Sequence, residues 1–452
     1  MRTALRRTAA TILTRGRIDQ WASEIEDALN SDVPVADAGA LHAVVADAVD
    51  AIPFYQKLRP SVGALEDLPV IDKMTMRDDL SAFLKPGAEL SKLSKRSTSG
   101  STGIPFTVYM EPDRATRNRA GAVASLRYAG GDPFAPSVRT RAWSAPTTKE
   151  KIVNFLKEDY AFNGDHFQTD PILEIARWMK DRKRTVVQGY ASYLEKILRV
   201  FEDEGVTFAP GEVSAVMSGA EAPTPYLWEA SERVFGVFAH ARYSNMELGL
   251  VSTTSKVDPS AYKIDTSTFH VEILDEESDT PVKPGELGRI VVTDLHNRVM
   301  PLLRYDTGDT ARFAVDARGH AIANVITDIR GRRLDVLVAG TADRPHKAHP
   351  LAVWGAAATM SEIRQFQLRQ HDVGHYTWVL NAEQSHATER RLREALDERV
   401  GDIVSCHFEY VDEVPVLASG KRQFFVNEID DPADFIARRA DVDSSPADQK
   451  DA

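Results

Sequence analysis

At 452 residues the chain is long for one ordinary domain and suits two or three. Its apolar share, 43%, is that of a globular protein, and no run approaches the roughly 18 apolar residues of a membrane span. Formal charge is 55 basic against 67 acidic residues, or −12, which argues against broad electrostatic binding to nucleic acid.

A single cysteine, Cys406, excludes an internal disulfide and a cysteine-cluster zinc site, so a cytoplasmic location is expected. The basic, acid-free start (MRTALRRTAATILTRGR) reads either as a transit peptide or as a plain first helix, and the helix is favoured. The first ninety residues read as helices separated by proline turns. In the middle, Val186–Gln188 and Val213–Ser218 read as short buried strands, and Pro171–Lys180 and Tyr193–Glu204 carry helical spacing. Such alternation predicts an α/β body with a largely parallel sheet. From Phe269 the pattern changes. Phe269, Val271 and Ile273 alternate with His270 and Glu272, and Pro284-Gly285 turns the chain into Leu287–Thr293. That predicts an antiparallel β subdomain. Beyond residue 333 the strands Phe366–Arg369 and Tyr376–Leu380, a helix through Leu392, Leu396 and Val400, and a strand through Val404, Cys406, Phe408 and Tyr410 predict a small α+β unit. The polar tail after Arg439 has a disordered composition.

Three motifs carry chemistry. Ser97-Thr98-Ser99-Gly100-Ser101-Thr102-Gly103-Ile104-Pro105 is rich in small residues whose backbone N–H groups can converge on one anion, with phosphate the natural ligand. No Gly-Lys-Ser/Thr closes it, so it is not a P-loop, and a flexible linker has the same composition. In Arg304-Tyr305-Asp306-Thr307-Gly308-Asp309, an aspartate on a glycine turn can accept two hydrogen bonds from a vicinal diol such as ribose. A surface Asx turn is the alternative. Ser419-Gly420-Lys421 places a lysine on a glycine loop, either as a solvated side chain or as a charge delivered to an anionic transition state.

Taken in order, with Ser218-Gly219-Ala220-Glu221, Tyr243–Glu247, Met300–Leu303 and Gly331-Arg332, these motifs resemble the adenylate-forming superfamily of acyl-CoA synthetases, adenylation domains and luciferases. Leu68-Pro69-Val70-Ile71-Asp72-Lys73 is similar to an N-terminal feature of its phenylacetate–coenzyme A ligase branch. The resemblance spans roughly residues 50 to 430. It implies a large N-terminal ATP- and acyl-binding domain over residues 1–333, a mobile C-terminal lid over 334–440, and a disordered tail over 441–452. It also implies an AMP-forming ligase that activates a carboxylic acid, aromatic in that branch, and passes the acyl group to coenzyme A.

Residue by residue, the resemblance assigns Ser97, Thr98, Ser99, Gly100, Ser101, Thr102 and Gly103 to the ATP phosphates. Gly219, Ala220 and Glu221 fall against adenine, Tyr243 stacks on the base, Asp309 binds the ribose hydroxyls and Arg332 supports them. Glu247 is the implied Mg²⁺ ligand and Lys421 the implied catalytic cation. Gln188, Gly189, Tyr190 and Ser244 are acyl-pocket candidates, followed by Phe162 and Phe167, although Tyr190 reads equally as a core aromatic. Gln188, Asn245 and His166 point to a functionalised acid. The implied ligands are ATP, Mg²⁺, the acid and coenzyme A, with no nucleic acid or membrane partner and a homodimer as the assembly.

Three departures from the family pattern stand out. Tyr243-Ser244-Asn245-Met246-Glu247 lacks the usual second glycine and the hydroxyl residue before the glutamate. Leu334 replaces the usual hinge pivot. Ala339–Pro350 replaces a glycine loop and a Pro-x-x-x-Glu segment, and its Arg344, His346 and Lys347 read as a coenzyme A phosphate contact or, preferably, a solvated loop. An adenylating ligase with an amine or carrier-protein thiol as acceptor is therefore the first alternative. A non-catalytic nucleotide-binding protein is the second, and retention of Glu247, Asp309 and Lys421 together counts against it.

Overall fold

The structure, a computed structural model, describes residues 16–35, 38–59, 62–97, 106–141, 148–163, 169–221, 223–276, 278–330, 337–342, 345–348, 353, 357, 360–415 and 424–429. The chain divides into two compact units, Met1–Gly331 and Arg332–Ala452.

The first unit begins with α1 (Arg17–Asn30), whose buried Ala22, Ile25, Ala28 and Leu29 recur at helical spacing. Helices α2 (Ala38–Ala51) and α3 (Pro53–Gln56) follow, the latter opened by a proline at its first position. Asp72 caps α4 (Lys73–Asp78) by accepting from the Thr75 amide at 2.8 Å. Strands β1 (Ser94–Ser97) and β2 (Thr107–Met110) pair antiparallel, Ser97 opposite Thr107, and so pin both ends of the Ser/Thr/Gly loop. Helix α5 (Pro112–Tyr128) then packs Ala120, Ala124 and Tyr128 against α1.

Next comes the parallel region: β3 (Ser137–Arg141), α6 (Thr148–Lys157), β4 (Asp159–Asn163), α7 (Thr169–Lys180), β5 (Thr185–Tyr190), α8 (Ala191–Asp203), β6 (Val213–Gly219), α9 (Pro225–Phe235) and β7 (Ala239–Asn245). Val138, Val187, Val216 and Ala239 lie beneath Ile172, Ile175, Leu194, Ile197, Leu227 and Val234 of α7, α8 and α9. Strands covered on both faces read as apolar runs, which is why this part of the sequence announced itself. Each buried Val, Ile or Leu side chain among them contributes about 1.5–3 kcal/mol.

The antiparallel strands are β8 (Gly249–Thr254), β9 (Ala261–Ile264), β10 (Phe269–Leu274), β11 (Gly288–Asp294), β12 (Tyr305–Val315) and β13 (Ala321–Arg330). They pair antiparallel, as expected, and continue the parallel region. β7 runs parallel to β6 and antiparallel to β8, so both regions form one sheet in the order β10-β11-β12-β13-β9-β8-β7-β6-β5-β3-β4. Its antiparallel part packs Phe269, Ile290, Val292 and Tyr305 against Ile52, Tyr55, Ile71 and Phe83 from the N-terminal helices.

In the second unit, β14 (Leu337–Gly340) pairs with β15 (Pro345–Ala348). Strands β16 (Ile363–Asp372) and β17 (His375–Ala382), helix α10 (His386–Val400), β18 (Ser405–Tyr410) and β19 (Phe425–Asn427) complete it, with sheet order β18-β17-β16-β19. Trp378, Tyr376, Leu380, Leu392, Leu396 and Val400 form its core. β19 was not anticipated; three residues are too short for a periodic signal. Among the described residues no helix is long and apolar enough to cross a membrane.

Candidate active site

Asp309 owes its position to the residues before it. Gly308 has φ +77°, in the left-handed region that favours glycine. Its N–H donates to Asp306 Oδ1 at 2.8 Å, while Thr307 Oγ1 accepts from Asp309 N at 3.2 Å and donates to Ile290 O at 3.0 Å. Asp306 is in turn held by Arg289 at 3.0 Å. On this built turn Asp309 accepts the Tyr243 hydroxyl at 2.7 Å, with Thr307 Oγ1 3.2 Å from the same hydroxyl. Burial first, then the Asp309 charge, drives the Tyr243 phenol well above its ordinary value, so it stays a donor.

Four residues beyond Tyr243, Glu247 is buried, and its Oε1 lies 3.2 Å from Lys73 Nζ and 3.4 Å from the Tyr305 hydroxyl. Both partners come from one structural event. Ile71 bridges Tyr305 in parallel, its N–H donating to Arg304 O at 3.0 Å and its carbonyl accepting from Asp306 N at 2.8 Å. Leu68–Lys73 is thereby laid along β12, and Lys73 opens α4 beside Glu247. The motif that carries Lys73 was visible in the sequence; its ion pair was not.

Arg304, in the same motif as Asp309, has a structural task. Its φ is +48°, and its guanidinium holds Glu272 at 3.1 and 3.2 Å and the Leu68 carbonyl at 2.8 Å. It fastens the N-terminal segment to the antiparallel strands.

Among the described residues no cluster of three His, Cys, Asp or Glu could hold a metal ion. A closed metal site does not fit there. Mg²⁺ does, because it commonly takes one or two carboxylates and fills the rest of its octahedron with phosphate oxygens and water.

The Ser218–Glu221 segment ends β6. Ala220 takes φ +67°, unusual for a residue with a side chain, and Glu221 Oε2 accepts from Ser192 N at 3.0 Å at the start of α8. Nearby Glu195 Oε1 accepts from Thr224 N at 3.1 Å and Thr224 Oγ1 at 2.8 Å. Burial pushes the Glu195 carboxyl up to about 7, and the Glu221 charge adds to it.

Of the acyl-pocket candidates, Gln188 Oε1 accepts from Arg242 at 3.3 Å, Tyr190 lies against Tyr193 with centroids 5.5 Å apart, and Ser244 is exposed. Gly189 is set by close approach: a Cβ there would lie 1.8 Å from Thr140 Oγ1. Phe162, a further acyl-pocket candidate, lies on β4. It is buried in the hydrophobic core with Ile172 and Val187. Arg242 drew no attention in the sequence, since nothing there shows which face of β7 it occupies. Ser97 closes β1, its Oγ 2.9 Å from Thr107 Oγ1. Thr98, Ser99, Gly100, Ser101, Thr102, Gly103, His166, Phe167, Arg332 and Lys421 lie outside the described residues.

No family model matches the chain. It is 25% identical over 323 residues to a phenylacetate-coenzyme A ligase of Thermus thermophilus, covering 66% of this chain and 70% of that one. With protein CapK of Staphylococcus aureus it shares 21% identity over 385 residues, 82% of this chain and 81% of the other. Among solved structures, 2-hydroxyisobutyryl-CoA ligase in its postadenylation state matches with TM-score 0.64 at 16% identity, over 92% of this chain and 96% of that one. ATP-bound MatB from Rhodopseudomonas palustris matches with TM-score 0.51 at 17% identity, over 75% and 68%. Sequence relatives and a shared fold thus agree with the motifs: the chain is similar in sequence and in fold to the adenylate-forming acyl-CoA ligases.

Proposed function

We propose that this ligase joins ATP to a carboxylic acid, aromatic by analogy with its phenylacetate-ligase relatives, and then transfers the acyl group to coenzyme A. Two contacts between the same two segments carry this reading: Tyr243 on Asp309, and Glu247 on Tyr305. They gather, within five residues of each strand, a base-stacking ring, a diol acceptor and a buried carboxylate.

In the first step a carboxylate oxygen attacks the α-phosphorus, the bond to the bridging oxygen breaks, and pyrophosphate leaves. Tyr243 stacks on adenine, Gly219–Glu221 border it, and Asp309 and Arg332 take the ribose hydroxyls. Ser97–Gly103 cradle the phosphates. Glu247 would hold Mg²⁺, which supplies charge neutralisation to the phosphates. Lys421 brings positive charge between the two approaching anions. Gln188, Gly189, Tyr190 and Ser244 border the acyl group. In the second step the coenzyme A sulfur attacks the acyl carbon and AMP departs.

A second acceptor is kept in view by one observation. Where relatives run through a glycine loop and a Pro-x-x-x-Glu segment, this chain pairs Leu337–Gly340 with Pro345–Ala348 as a short hairpin. An amine or a carrier-protein thiol would then replace coenzyme A.

The test is pyrophosphate release from ATP and Mg²⁺ across aryl and alkyl acids without acceptor, comparing Lys421→Ala with the parent. Acid-dependent release, reduced about a hundred-fold by the substitution, is expected. Coenzyme A or an amine added afterwards identifies the acceptor by faster turnover. Nucleotide binding with no release for any acid would overturn the ligase reading.

A further inference from the structure

Arg242, at the end of β7, has hydrogen-bond partners that are all neutral among the described residues. Its guanidinium reaches Gln188 Oε1 at 3.3 Å, Ser125 Oγ at 2.9 Å and Ala122 O at 3.3 Å. Burial, followed by the nearby Arg139 charge, brings it down to about 10. A half-buried cation with neutral neighbours is a costly thing to keep without an anion to meet. Arg139 stands opposite Gln188 across the β3–β5 pairing and holds Asp159 at 3.2 Å, so it does not neutralise Arg242.

Its place in the topology points the same way. From β3 the chain leaves through α6 to β4, and from β5 it leaves in the other direction through α8 to β6. Doubly wound sheets open a ligand crevice where such connections diverge, at the carboxyl ends of the strands. Arg139 and Gln188 flank that divergence, and Arg242 reaches Gln188.

We propose that Arg242, with Gln188, binds a second negatively charged group on the acid, distinct from the carboxylate that is adenylated. The reacting carboxylate belongs on the nucleotide side with Tyr243. Alternation along β7 turns Arg242 to the other face, toward α5, so it meets the far end of the acyl group. This rests on the ligase reading and narrows its substrate class to acids with a second anion.

The test measures pyrophosphate release with matched pairs: 4-carboxyphenylacetate against 4-acetylphenylacetate, and glutarate against valerate. The dianion of at least one pair is expected to win in kcat/KM by about 30-fold, as a charge-assisted pair of hydrogen bonds provides. Arg242→Leu should collapse that ratio through KM, and Arg242→Lys should restore part of it. Monoanions turned over as well as their matched dianions, or a ratio that Arg242→Leu leaves intact, would overturn the proposal. Should Arg242→Leu fail to fold, the parent enzyme's ratio alone decides. Should no acid release pyrophosphate, the ligase reading fails separately, and calorimetric binding of the same pairs still tests the anion site. Dianion-selective binding supports it, and indifference to charge refutes it.

Discussion

At the residue scale, the hydroxyl of Tyr243 holds Asp309, and in the proposed mechanism its ring stacks on the base. Tyr243→Phe keeps the ring and deletes the hydrogen bond. We expect KM for ATP to rise about 5- to 10-fold with kcat nearly unchanged, the signature of lost uniform binding. A kcat that falls as steeply as KM rises would count against this role. The sequence pointed to Tyr243, Glu247 and Asp309 because each sits in a short motif. It was silent on the ion pair of Lys73 and on Arg242, whose partners lie 174 and 54 positions away along the chain. A motif names residues that share a loop; it does not name those that a strand crossing brings beside them.

At the element scale, strands buried on both faces were readable as apolar runs, the periodic helices α7 and α8 were placed within a few residues of their bounds, and α10 was marked by its apolar face. What patterning could not supply was continuity. The style change at Phe269 marked the antiparallel strands but not that β7, hydrogen-bonded to both neighbours, joins them to the parallel part in one sheet. Helix α5 is joined to that sheet by a buried pair, Arg114 Nε to Asp294 Oδ2 at 2.7 Å, with the Arg114 guanidinium also donating to Leu248 O at 2.8 Å. Arg114→Ala should destabilise the protein by about 3–5 kcal/mol, because Asp294 is left buried without its counter-charge. Denaturant midpoints would check this, and Asp294→Ala introduced on top of Arg114→Ala should recover part of the loss.

For the whole molecule, buried titrating groups set opposing pH dependences. Burial brings His240 down to about 4 from 6.5, so stability is lost as pH falls through that interval, where the unfolded chain takes the proton first. His270 and His296 are shifted the same way. Glu195, raised from 4.5 to about 7, has the reverse sign: the folded protein holds the proton more tightly, and stability falls as pH rises through that interval. Glu195→Gln can accept from Thr224 without ionising. Its melting temperature should match the parent at pH 5 and exceed it at pH 8, by an increment worth roughly 2–3 kcal/mol. An equal gap at both pH values would sink this assignment.

The double allegiance of β7 also bears on how this enzyme can be recombined. The parallel strands up to Gly219 and the antiparallel strands from Gly249 onward meet across a strand that each half needs for its own hydrogen bonding. A crossover placed inside Ala239–Asn245 would mate two foreign edges along a single backbone. One placed in the turn after α9, at Gly236 with its open left-handed conformation, would hand β7 over whole. Chimeras with related ligases should therefore tolerate breakpoints at that glycine and resist them a few residues later.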